Sequence, residues 1–256
     1  MDDLEKRYSV SSRVLQAIAS QAQANGVDNI LAGNLYNEHL FLAIYELIKN
    51  SNVHKAKLNF YICGRLDEHR IKKFNNRLLD YGIPNICGAV LSDSAELCSS
   101  YANLSYRGDG KHYSDMSTMV GQGEIAIYCH TIQLIIKDDW NNVARNLEIM
   151  ETVTLPKTKH PVMKLDFEFY KAIYEKNLKR AEEIISELVT PKVHKQRNDS
   201  PLLSKYISQP ALGYAKLAWM KGLEVRTNSD LIPAALLPIK PLQNYSHNYT
   251  FLKETD

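Results

Sequence analysis

The residues best able to do chemistry in this chain lie in two polar stretches. The first, residues 105–115 (SYRGDGKHYSD), sets Arg107, Asp109, Lys111, His112 and Asp115 around Gly108 and Gly110. Two glycines this close disfavour any regular element, so the stretch reads as a loop. Its charged side chains either contact a ligand or a protein, or are simply solvated. The second, residues 190–197 (TPKVHKQR), places Lys192, His194, Lys195 and Arg197 just beyond an apolar-periodic segment that ends at Leu188. Cations there complement the partial negative charge of a helix C-terminus, and that role is sufficient. Contact with RNA is the other reading, although no aromatic residue interleaves the cations to stack on bases.

Beyond these stretches the chemical vocabulary is sparse. The chain has no G-x-S-x-G elbow, no phosphate-cradling G-x-x-x-x-G-K-[ST], no dinucleotide glycine fingerprint and no H-E-x-x-H. None of the eight histidines is paired with another at i, i+4. Cys63, Cys87, Cys98 and Cys129 stand singly and far apart, unlike zinc ligands drawn in pairs from short loops, and read as small buried hydrophobes. No catalytic, cofactor-binding or metal-ligating residue is assigned, and the chain is not read as an enzyme.

A hydrophobic content of 45% over 256 residues is enough for a sizeable core, with 23% charged residues for the surface. The 31 basic and 29 acidic residues leave a net charge of +2, which argues for neither a nucleic-acid nor a membrane partner. The first residues, including Asp2, Asp3 and Glu5, do not resemble a secretory signal, and no run reaches the roughly 18 apolar residues a membrane span needs. A cytoplasmic location is expected.

The elements that would position the polar stretches are helical. Val10, Val14, Ile18 and Ala22 recur every four residues, with Leu15 and Ala19 widening the stripe, and predict a helix over 10–24 stopped by Gly26. Leu40, Phe41, Ile44, Leu47 and Ile48 predict another over 37–49, and a third is expected over 67–80, before the Gly82-Ile83-Pro84 breaker. Residues 58–64 (LNFYICG) are too short and too evenly apolar to assign to strand or helix. Residues 92–104 carry near-helical spacing, and 116–136 predict one buried helix despite Gly121 and Gly123.

An internal match supports a stack of helix pairs. Residues 132–150 align without a gap on 170–188, at an offset of 38, and a polar triplet separates two apolar segments in each: Lys137-Asp138-Asp139 and Glu175-Lys176-Asn177. Asp139 and Asn177 stand where an N-cap would accept backbone amide protons, and Trp140 and Leu178 lead into the next helix. Two copies are fewer than helix-pair arrays usually need, and chance similarity between helical hairpins is the alternative. The fold expected is all-α, with stacked antiparallel helix pairs in a helical-repeat-like arrangement. It would form a single domain over 1–256, any subdivision falling between 1–113 and 114–256.

The C-terminal region combines a helix with a proline-rich tail. Ala211, Tyr214, Ala215, Ala218 and Trp219 form one face, Lys221 and Gly222 are cap residues, and Leu223 can fold back on the last turn. Pro233 suits a short helical turn, whereas Pro238 and Pro241 prevent more helix. Leu237, Ile239 and Leu242 are therefore expected to pin the tail as an extended strap over the last seam.

The succession ALGYAKLAWMKGLEV and LIPAALLPIKPLQNY resembles the C-terminal signature of the immunity protein 49 family of bacterial polymorphic-toxin and contact-dependent growth inhibition systems. The resemblance runs from about Tyr128 to Tyr245 and includes PKVHKQR. It implies an antitoxin that binds and neutralises a cognate toxin C-terminal domain, CdiA-type or from another polymorphic-toxin system and by association a nuclease, through stoichiometric protein contact. No membrane, direct nucleic-acid contact or cofactor is implied. The toxin-binding residues expected are Arg107, Asp109, Lys111, His112, His194 and Arg197. A helical-repeat adaptor holding another cytoplasmic protein would share the fold, and a nucleic-acid-processing enzyme would require the 192–197 cations to matter.

Overall fold

Several helix starts in this chain are set by short polar side chains. The structure is a computed structural model and describes residues 2–159 and 161–255. Asp2, Asp28 and Asn52 each accept a backbone N–H from the first turn of helices α1 (Asp3–Asn25), α2 (Asn29–Asn50) and α3 (Val53–Phe74). Those caps explain why α1 and α2 begin earlier than their apolar stripes suggest. The helix expected over 67–80 is in fact two: α3 ends at Phe74, Asn75 takes the left-handed conformation (φ 51°), and α4 (Leu78–Tyr81) follows.

Residues 58–64 lie inside α3. Every residue from Phe60 to His69 is buried, so this helix runs through the core and has no solvent face to impose a period. Gly64 permits close packing, since a Cβ there would sit 2.6 Å from Leu97. Pro84 opens a helix instead of breaking one, at the start of α5 (Ile83–Leu91). Helix α6 (Ala95–Ala102) is capped by Ser94.

The single helix expected over 116–136 is also two, α7 (Met116–Gly121) and α8 (Ala126–Ile136). Gly123 between them has φ 69°, a conformation costly for other residues, and its carbonyl accepts the Thr154 hydroxyl at 2.8 Å. Helix α9 (Trp140–Ile149) continues through a π turn (Met150–Thr154) into α10 (Leu155–Lys157). Then come α11 (Met163–Tyr174), α12 (Leu178–Leu188), α13 (Pro191–Arg197) and α14 (Gln209–Met220).

The architecture is all-α, with no strand among the described residues. Its internal match reaches the backbone: Asp138 and Lys176 both take the left-handed conformation (φ 58° and 53°). The next N–H then bonds back five residues, Asp139 to Leu134 O at 3.0 Å and Asn177 to Ala172 O at 2.8 Å. The same two residues cap the following helices, so the α8–α9 and α11–α12 hairpins share one turn.

Buried hydrophobic residues from Leu4 to Leu252 belong to one core cluster that includes Cys63, Cys87 and Cys129, and Cys98 is buried as well. Where α14 crosses α5, a Cβ on Gly213 would sit 1.9 Å from the Cβ of Cys87, so the helices touch through bare backbone. Gly222 (φ 77°) ends α14 and Leu223 N–H returns to Ala218 O at 2.9 Å. Tyr214 is fully buried, while Trp219 is only half-buried and donates its indole N–H to Val225 O.

The tail is held differently from the expected apolar pinning. Leu236 and Leu237 are buried, but Ile239 is 44% exposed and Leu242 only half-buried. Polar groups hold it too: Lys216 Nζ donates to the carbonyls of Leu236, Leu237 and Pro238 at 2.8, 3.2 and 2.9 Å. Lys57 Nζ donates to Lys240 O at 2.9 Å, and both ammoniums rest on Asp93. Among the described residues, no helix is long and apolar enough to cross a membrane.

Asp67, on buried α3, gives this fold a pH signature. It accepts from Asn85 and Arg70 at 2.8 and 3.3 Å, yet burial outweighs these contacts and pushes its carboxyl up to about 6. A folded-state value above the unfolded one means the ionised form costs stability. That cost is absent below pH ~4, grows between ~4 and ~6, and is complete above. In urea unfolding, Asp67→Asn is expected to gain about 2 to 3 kcal/mol relative to wild type between pH 4 and 7. Parallel pH profiles for the two proteins would contradict this.

Candidate functional site

The loop between α6 and α7 is built by its own polar groups. Asn75, at the end of α3, pairs with the Arg107 backbone through two hydrogen bonds, from Arg107 N–H at 2.7 Å and to Arg107 O at 2.9 Å. Asp109 Oδ1 accepts the backbone N–H groups of Lys111, His112 and Tyr113 at 2.9, 2.7 and 2.8 Å. Those amides, Lys111 first and then Tyr113 and His112, hold its carboxyl below the ordinary range. Asp115 caps α7 through Thr118 N–H and also takes the Ser117 hydroxyl, which lowers its carboxyl to about 2.

This construction changes the role of the expected residues. Asp109 and Asp115 are engaged on backbone amides of the loop and of α7, Asp109 remaining exposed like Arg107, Lys111 and His112. The loop therefore presents Arg107 and Lys111 beside two carboxylates already engaged on backbone. Beneath it the Arg77 guanidinium lies 4.9 Å from the ring centroids of both Tyr106 and Tyr113 and bonds Asp80 at 2.8 Å. Tyr106 donates its hydroxyl to the same Asp80.

Tyr113 is thus fixed by Arg77 while 56% of it stays exposed, and Tyr81 beside Asp80 is 78% exposed. Anchored, exposed aromatics beside cations have the composition of a protein-contact surface. The sequence hinted at Tyr113 only through its place in the charged loop, and its stacking partner, 36 positions back in the chain, left no local sign.

The other two expected site residues face inward. Arg197 forks onto Asp166 at 2.7 and 2.8 Å, and Asp166 also accepts the Tyr214 hydroxyl at 2.5 Å. Burial opposes the Arg197 charge, but the Asp166 carboxylate outweighs it and keeps the guanidinium protonated. His194 Nε2 donates to Ser204 O at 2.8 Å, leaving Nδ1 to accept from Asn198. Both side chains brace α13, itself a helix and not a tail of basic residues after one. Of the basic residues of that stretch, Lys192 and Lys195 are exposed. The two expected groups approach each other through α4: Asp80 and Tyr81 line a cleft of about 470 Å³ together with Asp166 and Arg197.

Among the described residues, no cluster of histidine, cysteine or carboxylate side chains is arranged to hold a metal ion. Residues 128–236 match the model of the immunity protein 49 family, and the resemblance read from the C-terminal sequence is borne out there. No curated protein and no solved structure matches the chain. The matched stretch runs from α8 through Leu236, so it contains the Asp166–Arg197–Tyr214 network and Lys216. The loop bearing Lys111 and Tyr113 lies before it.

Proposed function

We propose that this chain is an antitoxin that binds the C-terminal domain of a cognate bacterial toxin, a nuclease of the contact-dependent or another polymorphic-toxin system, and neutralises it by stoichiometric contact in the cytoplasm. The observation that carries this reading is the immunity protein 49 match over residues 128–236. The whole chain acts as one helical domain. Its matched part supplies the frame, and the face around Arg107, Lys111, His112, Tyr113 and Tyr81 supplies the contact, with Asp109 shaping the loop. His194 and Arg197 support the neighbouring surface from within.

The charge of this face favours one mode of inhibition. A nuclease concentrates positive charge where it holds phosphates, and a face bearing Arg107 and Lys111 would be repelled there. It suits an acidic patch beside that groove, with occlusion by bulk over an interface on the order of 1,200 to 2,000 Å². The test of function is growth: co-expression with the toxin domain encoded beside its gene should restore growth, and continued toxicity at matched expression would overturn the reading.

For the contact face, Tyr113→Ala and Lys111→Glu are each expected to weaken toxin affinity by about tenfold or more in calorimetry, with the unfolding midpoint unchanged. Unchanged affinity in both removes the loop from the interface. Asp109→Arg is unsuited to this purpose, because it would strip three backbone amides of their acceptor.

A further inference from the structure

A second site lies where the α8–α9 hairpin meets α7 and the segment after α6. A cleft of about 310 Å³ is lined there by His130, Gln133 and Lys137 from α8 and its end and by Asn142, Arg145 and Asn146 from α9. Met116, Val120 and Ile149 give it an apolar wall. No aspartate or glutamate is among its lining residues. Neither Lys137 nor Arg145 forms a salt bridge among the described residues, and both are exposed.

The polar floor is fixed by hydrogen bonds whose direction can be followed. Thr131 spends its proton on Ile127 O at 2.7 Å, so its oxygen accepts from Asn146 Nδ2 at 3.0 Å. The same Nδ2 donates to His130 Nδ1 at 3.0 Å, which leaves the His130 proton on Nε2. Gln133 Nε2 donates both its protons, to Tyr101 O at 2.9 Å and Leu104 O at 2.8 Å. Both amide NH₂ groups are therefore used, and the Gln133 and Asn146 oxygens remain as acceptors. Burial, with the charges of Lys137 and Arg145, holds the His130 imidazole below its ordinary range, Asp139 acting the other way. An incoming anion would offset the charges of Lys137 and Arg145.

We propose that this cleft binds a small organic oxyanion, its acidic group held by Lys137, Arg145 and His130 Nε2 and its hydroxyl donors held by the Gln133 and Asn146 oxygens. The two cations supply attraction that a neutral ligand would not use, and the two amide oxygens supply a preference that a bare inorganic ion would not satisfy. Such an anion is either a phosphorylated sugar or a hydroxycarboxylate. This site is independent of the toxin-binding reading.

The test is thermal unfolding of the full chain with sulfate, ribose 5-phosphate and citrate, each against sodium chloride at equal ionic strength. The expected result is a rise of about 3 °C or more at ten times the dissociation constant. One of the two organic anions should bind at least tenfold tighter than sulfate, and which one does so identifies the source of the acidic group. The Lys137→Ala/Arg145→Ala double variant, altered only at exposed side chains, should lose the response. Shifts no larger than those in chloride, or retained in the double variant, overturn the site. Equal binding of sulfate and both organic anions overturns the ligand class.

Discussion

Replacing Asp93 with alanine is expected to lower the free energy of unfolding by about 3 to 5 kcal/mol at pH 7. The carboxylate is 1% exposed and lies 2.6 Å from both Lys57 Nζ and Lys216 Nζ, whose side chains are 3% and 0% exposed. It also accepts the Lys240 N–H at 3.1 Å. Without it, two buried ammoniums would keep only the tail carbonyls as partners.

Asp93 also takes a left-handed conformation (φ 61°), which alanine adopts poorly and asparagine well. Asp93→Asn therefore separates charge from backbone strain and should retain most of the loss. Burial pushes the Lys216 ammonium down and Asp93 resists that push. In the variant its folded-state value falls further below the unfolded one, so stability rises with pH over that interval and the deficit narrows between pH 7 and 9.5. Urea unfolding at the two pH values checks this. A loss under about 1 kcal/mol would show that the tail is held by its apolar residues instead.

The second large effect is at Asp166. Its oxygens take the Arg197 fork and the Tyr214 hydroxyl, and Tyr170 adds a hydroxyl contact to Tyr214 at 2.9 Å. Asp166→Ala leaves a largely buried guanidinium without its counter-ion and is expected to cost about 3 to 5 kcal/mol. Adding Arg197→Met to that variant should recover part of the loss, because it removes the orphaned charge and keeps apolar volume. Strict additivity in the double-mutant cycle would mean the pair does not act as a unit.

What could be read from the sequence was what local chemistry decides. Asp139 and Asn177 were legible as caps because capping involves residues three apart, and Gly222 with Leu223 was legible because a helix stop is written in consecutive positions. Residues 58–64 were not assignable, since a helix buried on all sides shows no period. Pro84 and Gly123 were misjudged for opposite reasons. A proline is acceptable in the first turn of a helix, and a glycine in the left-handed conformation ends one.

The site was half legible for the same reason. Residues 105–115 stood out by composition, but charge alone did not tell which side chains are already engaged: Asp109 on its own loop's amides, Arg197 on Asp166, 31 positions away. The Asp93 clamp joins residues 147 positions apart in its contact with Lys240, and no short window of sequence contains it.

The most direct test of the proposed antitoxin role is a titration of the purified toxin domain proposed to be encoded beside this protein's gene, following that domain's activity and the mass of the complex together. The account predicts one complex of equimolar composition, with activity falling to background at one equivalent. Full activity in the presence of excess protein, with no complex detected, would contradict it.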